Sequence, residues 1–226
     1  SVKLLAEAVE AYKQALSVRT KEELPQQWAT TQNNLAYTYL LLNDPLNTVE
    51  CYVNVLTVYP KNRRAYLTVS LLTQNFLFDY DGAYRNSQKW LEHSPEDLFA
   101  QVSFAEQLFT TGRFSDCEGH LKTLLNSRNL EPNLEIVLHT VQIANSSALN
   151  KTDSIDLQIA RLIELIRKQP EQLEVKWLFY GMKNFIGKHE KLSAHRAWLE
   201  KFLDTLADTN RDSIVSGLQK VQKDFK

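Results

Sequence analysis

Glycine is scarce in this chain: 226 residues hold only 6, well below the ~7% of an average protein. That argues against a turn-rich β protein and against an enzyme built on a glycine loop. Cysteine is nearly absent, with Cys51 and Cys117 alone. Two thiols cannot frame a disulfide scaffold, which points to a reducing compartment or to indifference. No sign of charge dominates either, since 26 Lys+Arg stand against 27 Asp+Glu for a formal charge of -1. A nucleic-acid binder usually carries a basic stripe, so no nucleic-acid partner is expected. No apolar run approaches the ~20 residues of a membrane span. The opening Ser1-Val2-Lys3 starts no signal peptide. A cytoplasmic protein without a membrane partner is expected. The first residue is not an initiator Met, which suggests a piece excised from something larger. What is present, 43% hydrophobic and 23% charged residues, suffices for a substantial core in one large domain or two small ones. The balance favours a soluble, mostly helical protein.

The six prolines give the organisation. Five of them, Pro25, Pro60, Pro95, Pro132 and Pro170, stand 35, 35, 37 and 38 residues apart. Proline lacks the N–H that a helix interior needs, so it collects at helix ends and first turns. A near-constant interval therefore marks a recurring unit, as in solenoids. Between prolines the apolar spacing is helical: Ile155, Ile159, Leu162, Ile163 and Ile166 form one stripe. Each unit has a break near its middle: Asn43-Asp44-Pro45, Asp79-Tyr80-Asp81-Gly82, Thr111-Gly112, Asn150-Lys151-Thr152-Asp153 and Gly187-Lys188-His189. Each unit thus reads as two helices joined by a short turn. No stretch carries a strand pattern.

Aligned on the prolines, first helices show Leu35-Ala36 with Tyr39, Val69-Ser70 with Thr73, and Phe104-Ala105 with Leu108. In second helices Thr48, Tyr52, Val55 and Pro60 match Ala83, Ser87, Trp90 and Pro95. Cys117, Leu121 and Leu124 continue that register, and Ala8, Tyr12 and Ala15 begin it. A small residue lets two helices approach, and a large one nearby fills the adjacent groove. This pattern resembles the tetratricopeptide repeat, most closely at Trp177-Leu178-Phe179-Tyr180-Gly181. The N-terminal part, with Ala11-Tyr12-Lys13-Gln14-Ala15-Leu16, Leu24-Pro25 and Thr31-Gln32-Asn33-Asn34-Leu35, resembles the long-helix subgroup of kinesin light chains and many bacterial proteins. The stretch from Asn133 to Pro170 departs from the pattern through a long second half, and glycine is missing at most of the expected positions. The resemblance implies an all-α fold, a right-handed α-solenoid of antiparallel helical hairpins over residues 1–226. Its approximate units are an N-terminal helix at 1–25, hairpins at 26–60, 61–95, 96–132, 133–170 and 171–209, and a C-terminal capping helix at 210–226. The apolar stripe Ile214, Leu218, Val221 and Phe225 marks that last helix.

No motif of catalysis or cofactor binding occurs. His189-Glu190 with His195 is not a zinc helix, because histidines six apart face different sides. Cys51 and Cys117 stand at or near small packing positions, where a free thiol acts as a small hydrophobe. Asn145-Ser146-Ser147 and Asn150-Lys151-Thr152 fit the glycosylation sequon, which matters only in a secreted protein. Trp28, Trp90, Trp177 and Trp198 recur near packing positions and are read as core. The basic stretch from Lys183 to Lys201 is read as a solvated helix face. No enzyme, metal or cofactor is expected.

The resemblance implies instead that ligand contacts come from first-helix positions lining a concave groove. These are Thr30, Asn33, Asn34 and Tyr37 in one hairpin, and Arg64, Leu67, Thr68 and Leu71 in the next. Phe99, Val102, Ser103 and Glu106 follow, then Val175, Leu178 and Met182. Asn33 and Asn34 resemble the asparagines with which the long-helix subgroup holds a partner's backbone. A side-chain amide suits this because it offers donor and acceptor together. Leu67 and Val102 stand where a carboxylate clamp would want charge or amide, so that activity is not expected. The expected function is a protein-interaction scaffold or sensor module that binds a peptide or protein segment. Two other classes compete. One is a self-associating module of a larger protease- or NTPase-linked protein, favoured if Phe109 and Phe185 pack a second copy. The other is a helical enzyme with a closed pocket.

Overall fold

A computed structural model describes residues 1–126, 130–173 and 177–225. Among the described residues the chain is all-helical, with twelve α-helices and two short 3-10 turns. The first six are α1 (Val2–Val18), α2 (Pro25–Leu41), α3 (Pro45–Leu56), α4 (Arg63–Asn75), α5 (Tyr80–His93) and α6 (Leu98–Thr110). Then come α7 (Phe114–Leu125), α8 (Pro132–Ala148), α9 (Ile155–Arg167), α10 (Tyr180–Lys188), α11 (Arg196–Leu206) and α12 (Arg211–Lys223). They form two compact units, Ser1–Ala100 and Gln101–Lys226, divided within the first turn of α6. No helix among the described residues is long and apolar enough to cross a membrane.

Local chemistry explains where the helices start and stop. Pro25, Pro45 and Pro132 open α2, α3 and α8, where their missing N–H costs nothing. Asp44, Asn62 and Asp79 cap α3, α4 and α5 by accepting from the N–H groups of Asn47, Ala65 and Gly82. Pro60, Pro95 and Pro170 lie between helices. A residue with positive φ sits in each turn from α2 to α3, α4 to α5, α6 to α7 and α8 to α9: Asn43, Phe78, Gly112 and Asn150. Asparagine and glycine suit that left-handed conformation, whereas phenylalanine is strained there. The second break falls differently from expectation. Asp79-Tyr80-Asp81-Gly82 is the cap and first turn of α5, and the chain reverses at Phe78 just before it. A Cβ at Gly82 would collide with the capping carboxylate of Asp79, so glycine serves the cap rather than the turn.

In the first unit each helix packs on the next, α1 on α2, α2 on α3, α3 on α4 and α4 on α5. The small-and-large register read from the sequence is buried from α2 to α7 apart from Phe104, which is half-buried, as are Ala8, Tyr12 and Ala15 on α1. Ala36, Ser70 and Ala105 line first helices, and Thr48, Ala83 and Cys117 line second helices. Tyr52, Val55, Trp90 and Leu121 fill the spaces beside them. Trp90, 1% exposed, stacks face to face on Tyr66 with ring centroids 5.4 Å apart.

The second unit begins in the same way. The Cys117 thiol donates to the Ala105 carbonyl and Asn145 Nδ2 to that of Phe114, tying α7 to α6 and α8 to α7. The stripe Ile155, Ile159, Leu162, Ile163 and Ile166 is buried on α9. The unit then departs from simple stacking. The first helix expected around Trp177 begins only at Tyr180, and Trp177, Leu178 and Phe179 are not helical. Just upstream the chain is extended, where Leu173 N–H and Arg211 N–H donate to Thr209 and Glu171 across an isolated Gln172–Asn210 bridge. Helix α12 packs on both α9 and α11, with Ile214, Leu218 and Val221 buried and Phe225 half-buried.

Two predictions follow from this packing. Trp90→Ala should cost about 3–5 kcal/mol in urea melts, the usual range for emptying a large aromatic site; a loss below about 1 kcal/mol would show that the register around α5 is wrong. The second concerns pH. His120, whose Nε2 lies 2.9 Å from the Gln101 carbonyl, and His139, at 3.0 Å from Gln142 Oε1, are both held below the ordinary 6.5 by burial. The unfolded chain therefore takes up protons that the folded chain resists. Their contribution to stability is complete above about pH 6.5 and is lost as the pH falls below it. Urea midpoints should drop between about pH 7.5 and pH 5.5, and His120→Gln with His139→Gln should flatten that slope.

Candidate functional site

The first eight expected contact residues share one face of the first unit. On α2, Thr30, Asn34 and Tyr37 are exposed and Asn33 is half-buried; on α4, Arg64, Leu67 and Leu71 are exposed and Thr68 is half-buried. Residues three, four and seven apart on a helix lie on one side. The structure joins the two rows: the Arg64 guanidinium stands 5.9 Å from the centroid of the Tyr37 ring. Tyr37, Leu67 and Leu71 keep 47%, 37% and 42% of their surface in water, a large exposure for side chains of this kind. Leu40 and Leu41 extend the exposed apolar surface of α2.

The other described candidates are buried or half-buried. Phe99 is half-buried under the guanidinium of Arg63, 4.0 Å away, which also pairs with Asp97. Val102, Ser103 and Met182 are buried, Glu106 is half-buried, and Leu178 is half-buried outside any helix. Val175 lies outside the described residues. Phe109 and Phe185, considered as positions for packing a second copy, are buried against each other at 5.5 Å. They belong to an aromatic cluster with Phe114 and His189.

Several of the side chains weighed for chemistry are buried or paired. Burial pushes the Cys51 thiol up to about 11 and that of Cys117 to about 12, so neither is a thiolate at neutral pH. Among the described residues no three His, Cys, Asp or Glu side chains gather to hold a metal ion. Asn145 is buried with its amide nitrogen bonded to Phe114, which closes that sequon in the folded chain. Lys183 and Lys201 of the basic stretch are paired with Asp204 and Asp224.

Sequence reasoning missed two open furrows, each between successive second helices. The larger, about 770 Å³, runs between α3 and α5 over α4. Val49, Val53 and Leu56 form one wall, Tyr66, Val69 and Thr73 the floor, and Arg85, Asn86 and Lys89 the other wall. At ~100° per residue, this floor is the side of α4 turned away from Arg64, Leu67 and Leu71. The other, about 570 Å³, lies between α7 and α9 over α8. Thr73 Oγ1 in one floor and Asn145 Oδ1 in the other are buried without a hydrogen-bond partner. For Asn145 this follows from its other contact. A carbonyl can only accept, so bonding to Phe114 fixes the amide and leaves its oxygen facing away. The signal for these furrows was a polar residue at a register position that carries Tyr39 and Leu108 in neighbouring units. No family model matches the chain, and a search of curated proteins also finds no match.

Proposed function

We propose that this chain is built on tetratricopeptide-like hairpins, stacked as in a solenoid in its first unit and closed over α8 in its second, and that it serves as a cytoplasmic protein-interaction module, holding a peptide or protein segment on the α2–α4 face. Three features support the repeat. Helical hairpins recur, a left-handed residue stands in four successive hairpin turns, and the small register positions Ala36, Ser70 and Ala105 of first helices and Thr48, Ala83 and Cys117 of second helices are buried. The observation that carries the function is the exposed row of Tyr37, Leu67 and Leu71 set beside Arg64 and the Asn33–Asn34 amides. Stable apolar side chains left in water beside polar groups mark interaction surfaces. Aromatic and arginine anchors carry a large share of interface energy. An extended segment would lay apolar side chains on the leucines and offer its backbone to the asparagines, whatever its sequence.

The test is a double substitution, Asn33→Ala with Asn34→Ala, assayed on a partner isolated by pull-down from the native host. Each amide bond is worth about 0.5–1.5 kcal/mol net, so affinity should weaken by roughly five- to a hundredfold. The melting temperature should move little, because alanine is the better helix former. Unchanged affinity would place binding elsewhere. A large stability loss with unchanged affinity would make the asparagines structural.

A further inference from the structure

We infer that the α3–α5 furrow of the first unit is a second docking site, which takes an apolar segment of a partner protein that carries acidic side chains. It lies on the other side of α4 from the face proposed above.

The furrow is a feature of the repeat rather than an accident of one surface. The interval from Pro60 to Pro132 also relates Val49 to Leu121, Val53 to Leu125, Thr73 to Asn145 and Asn86 to Gln158. All of these line the two furrows, one member in each. The same interval relates Leu46 to Glu118 and Asp79 to Lys151. In the second unit Glu118 and Lys151 form an ion pair, so that furrow carries its own polar link. In the first unit the equivalents are a leucine and a capping aspartate, and no such link can form.

What remains there is an unmatched set of groups. Val53 is 44% exposed on the apolar wall, and Leu46, two turns earlier on α3, is 64% exposed. With Cys51, Tyr52 and Val55 buried on its inner side, the apolar surface of α3 runs on from the core into the furrow wall and stops at the polar face of Asn47, Glu50 and Asn54. An apolar stripe wider than the helix's own buried contacts leaves Leu46 and Val53 facing water. On the facing wall, Arg85 and Lys89 stand one turn apart, and among the described residues neither is in an ion pair. Glu92, one turn further on, and the Asp79 carboxylate are the acidic groups of the lining, and Asp79 is engaged by the Gly82 N–H. Below them Thr73, 4% exposed, holds a hydroxyl with no partner. An apolar stripe against α3, carboxylates against Arg85 and Lys89, and a polar group over Thr73 would satisfy all three at once.

The experiment uses the full chain and two fluorescein-labelled amphipathic peptides with leucine at helical spacing. One carries aspartate and glutamate at its other positions, and the second carries lysine and arginine. Fluorescence anisotropy should show saturable binding of the acidic peptide and weaker binding of the basic one. Arg85→Glu with Lys89→Glu should weaken the acidic peptide by roughly ten- to a hundredfold and strengthen the basic one. Val53→Asp, at an exposed position, should also weaken the acidic peptide. Thr73→Val should lower its affinity several-fold without lowering the melting temperature, since it removes an unpaired buried hydroxyl. Asn33→Ala with Asn34→Ala should leave this binding unchanged, which separates it from the α2–α4 reading. Failure of both peptides to bind overturns the inference, as does binding that ignores charge reversal or requires the asparagines. A dimer broken by Val53→Asp, with no peptide binding, would assign the furrow to a second copy and overturn it too.

Discussion

The crossings of α2, α3, α4 and α5 in the first unit depend on small side chains that let two backbones approach. Ala36, Ala65 and Ala83 are wholly buried, as are Thr48 and Ser87, and the large neighbours Tyr52, Val55 and Trp90 fill the grooves that these create. Helices of 12–17 residues are marginal alone. Backbone hydrogen bonds run within helices and their turns, so the attraction between helices is side-chain burial and dispersion. That attraction falls steeply with separation. A larger group at any of these crossings would force the backbones apart and weaken several contacts together.

This mode of packing also creates the surfaces. An α-helix flanked by two others buries one broad face and presents the remainder. On α4 the buried row Tyr66, Val69 and Thr73 points toward α3 and α5, whereas Arg64, Leu67 and Leu71 point away. One helix therefore supplies the floor of the furrow and half of the α2–α4 face. No side chain is shared between the two surfaces. They are linked only through the rigid body of α4.

The parts legible in the sequence were those in which one residue type has one physical use. Proline has few places in a helical protein, and small-large pairs at a fixed interval have few uses other than crossings. The positions Ala36, Ala83 and Trp90 were therefore readable. Where a residue has several uses, the reading slipped. Gly82 signals a turn equally well as a cap, and the strained residue at the reversal, Phe78, gives no composition signal. Trp177-Leu178-Phe179-Tyr180-Gly181 matches the repeat best as a string, yet its first half is held outside the helix. Phe109 and Phe185 look like groove residues by register and are core by contact. The furrow floor was hidden for a related reason. Thr73 was noticed as a register position, but an unpaired hydroxyl is a property of its surroundings.

The two units differ in how far their helices are enclosed. Helix α8 buries Ile136, Leu138, Val141 and Ile143 at 0% exposure, around most of its circumference. A helix apolar on so many sides needs cover on all of them. It packs on α7, α9 and both 3-10 turns, Thr152–Ser154 and Glu190–His195. Such enclosure is incompatible with an open row of hairpins, in which every first helix keeps one side free. The chain accordingly folds back: the Gln172–Asn210 bridge turns it, and α12 covers α9. Met182 and Ser103, candidates for an open groove, are buried in this unit. Helices α2 and α4 carry no comparable excess of apolar residues, and their free sides hold tyrosine, leucine, arginine and asparagine in water. Of the two units, the first is the one whose first helices keep a continuous exposed side.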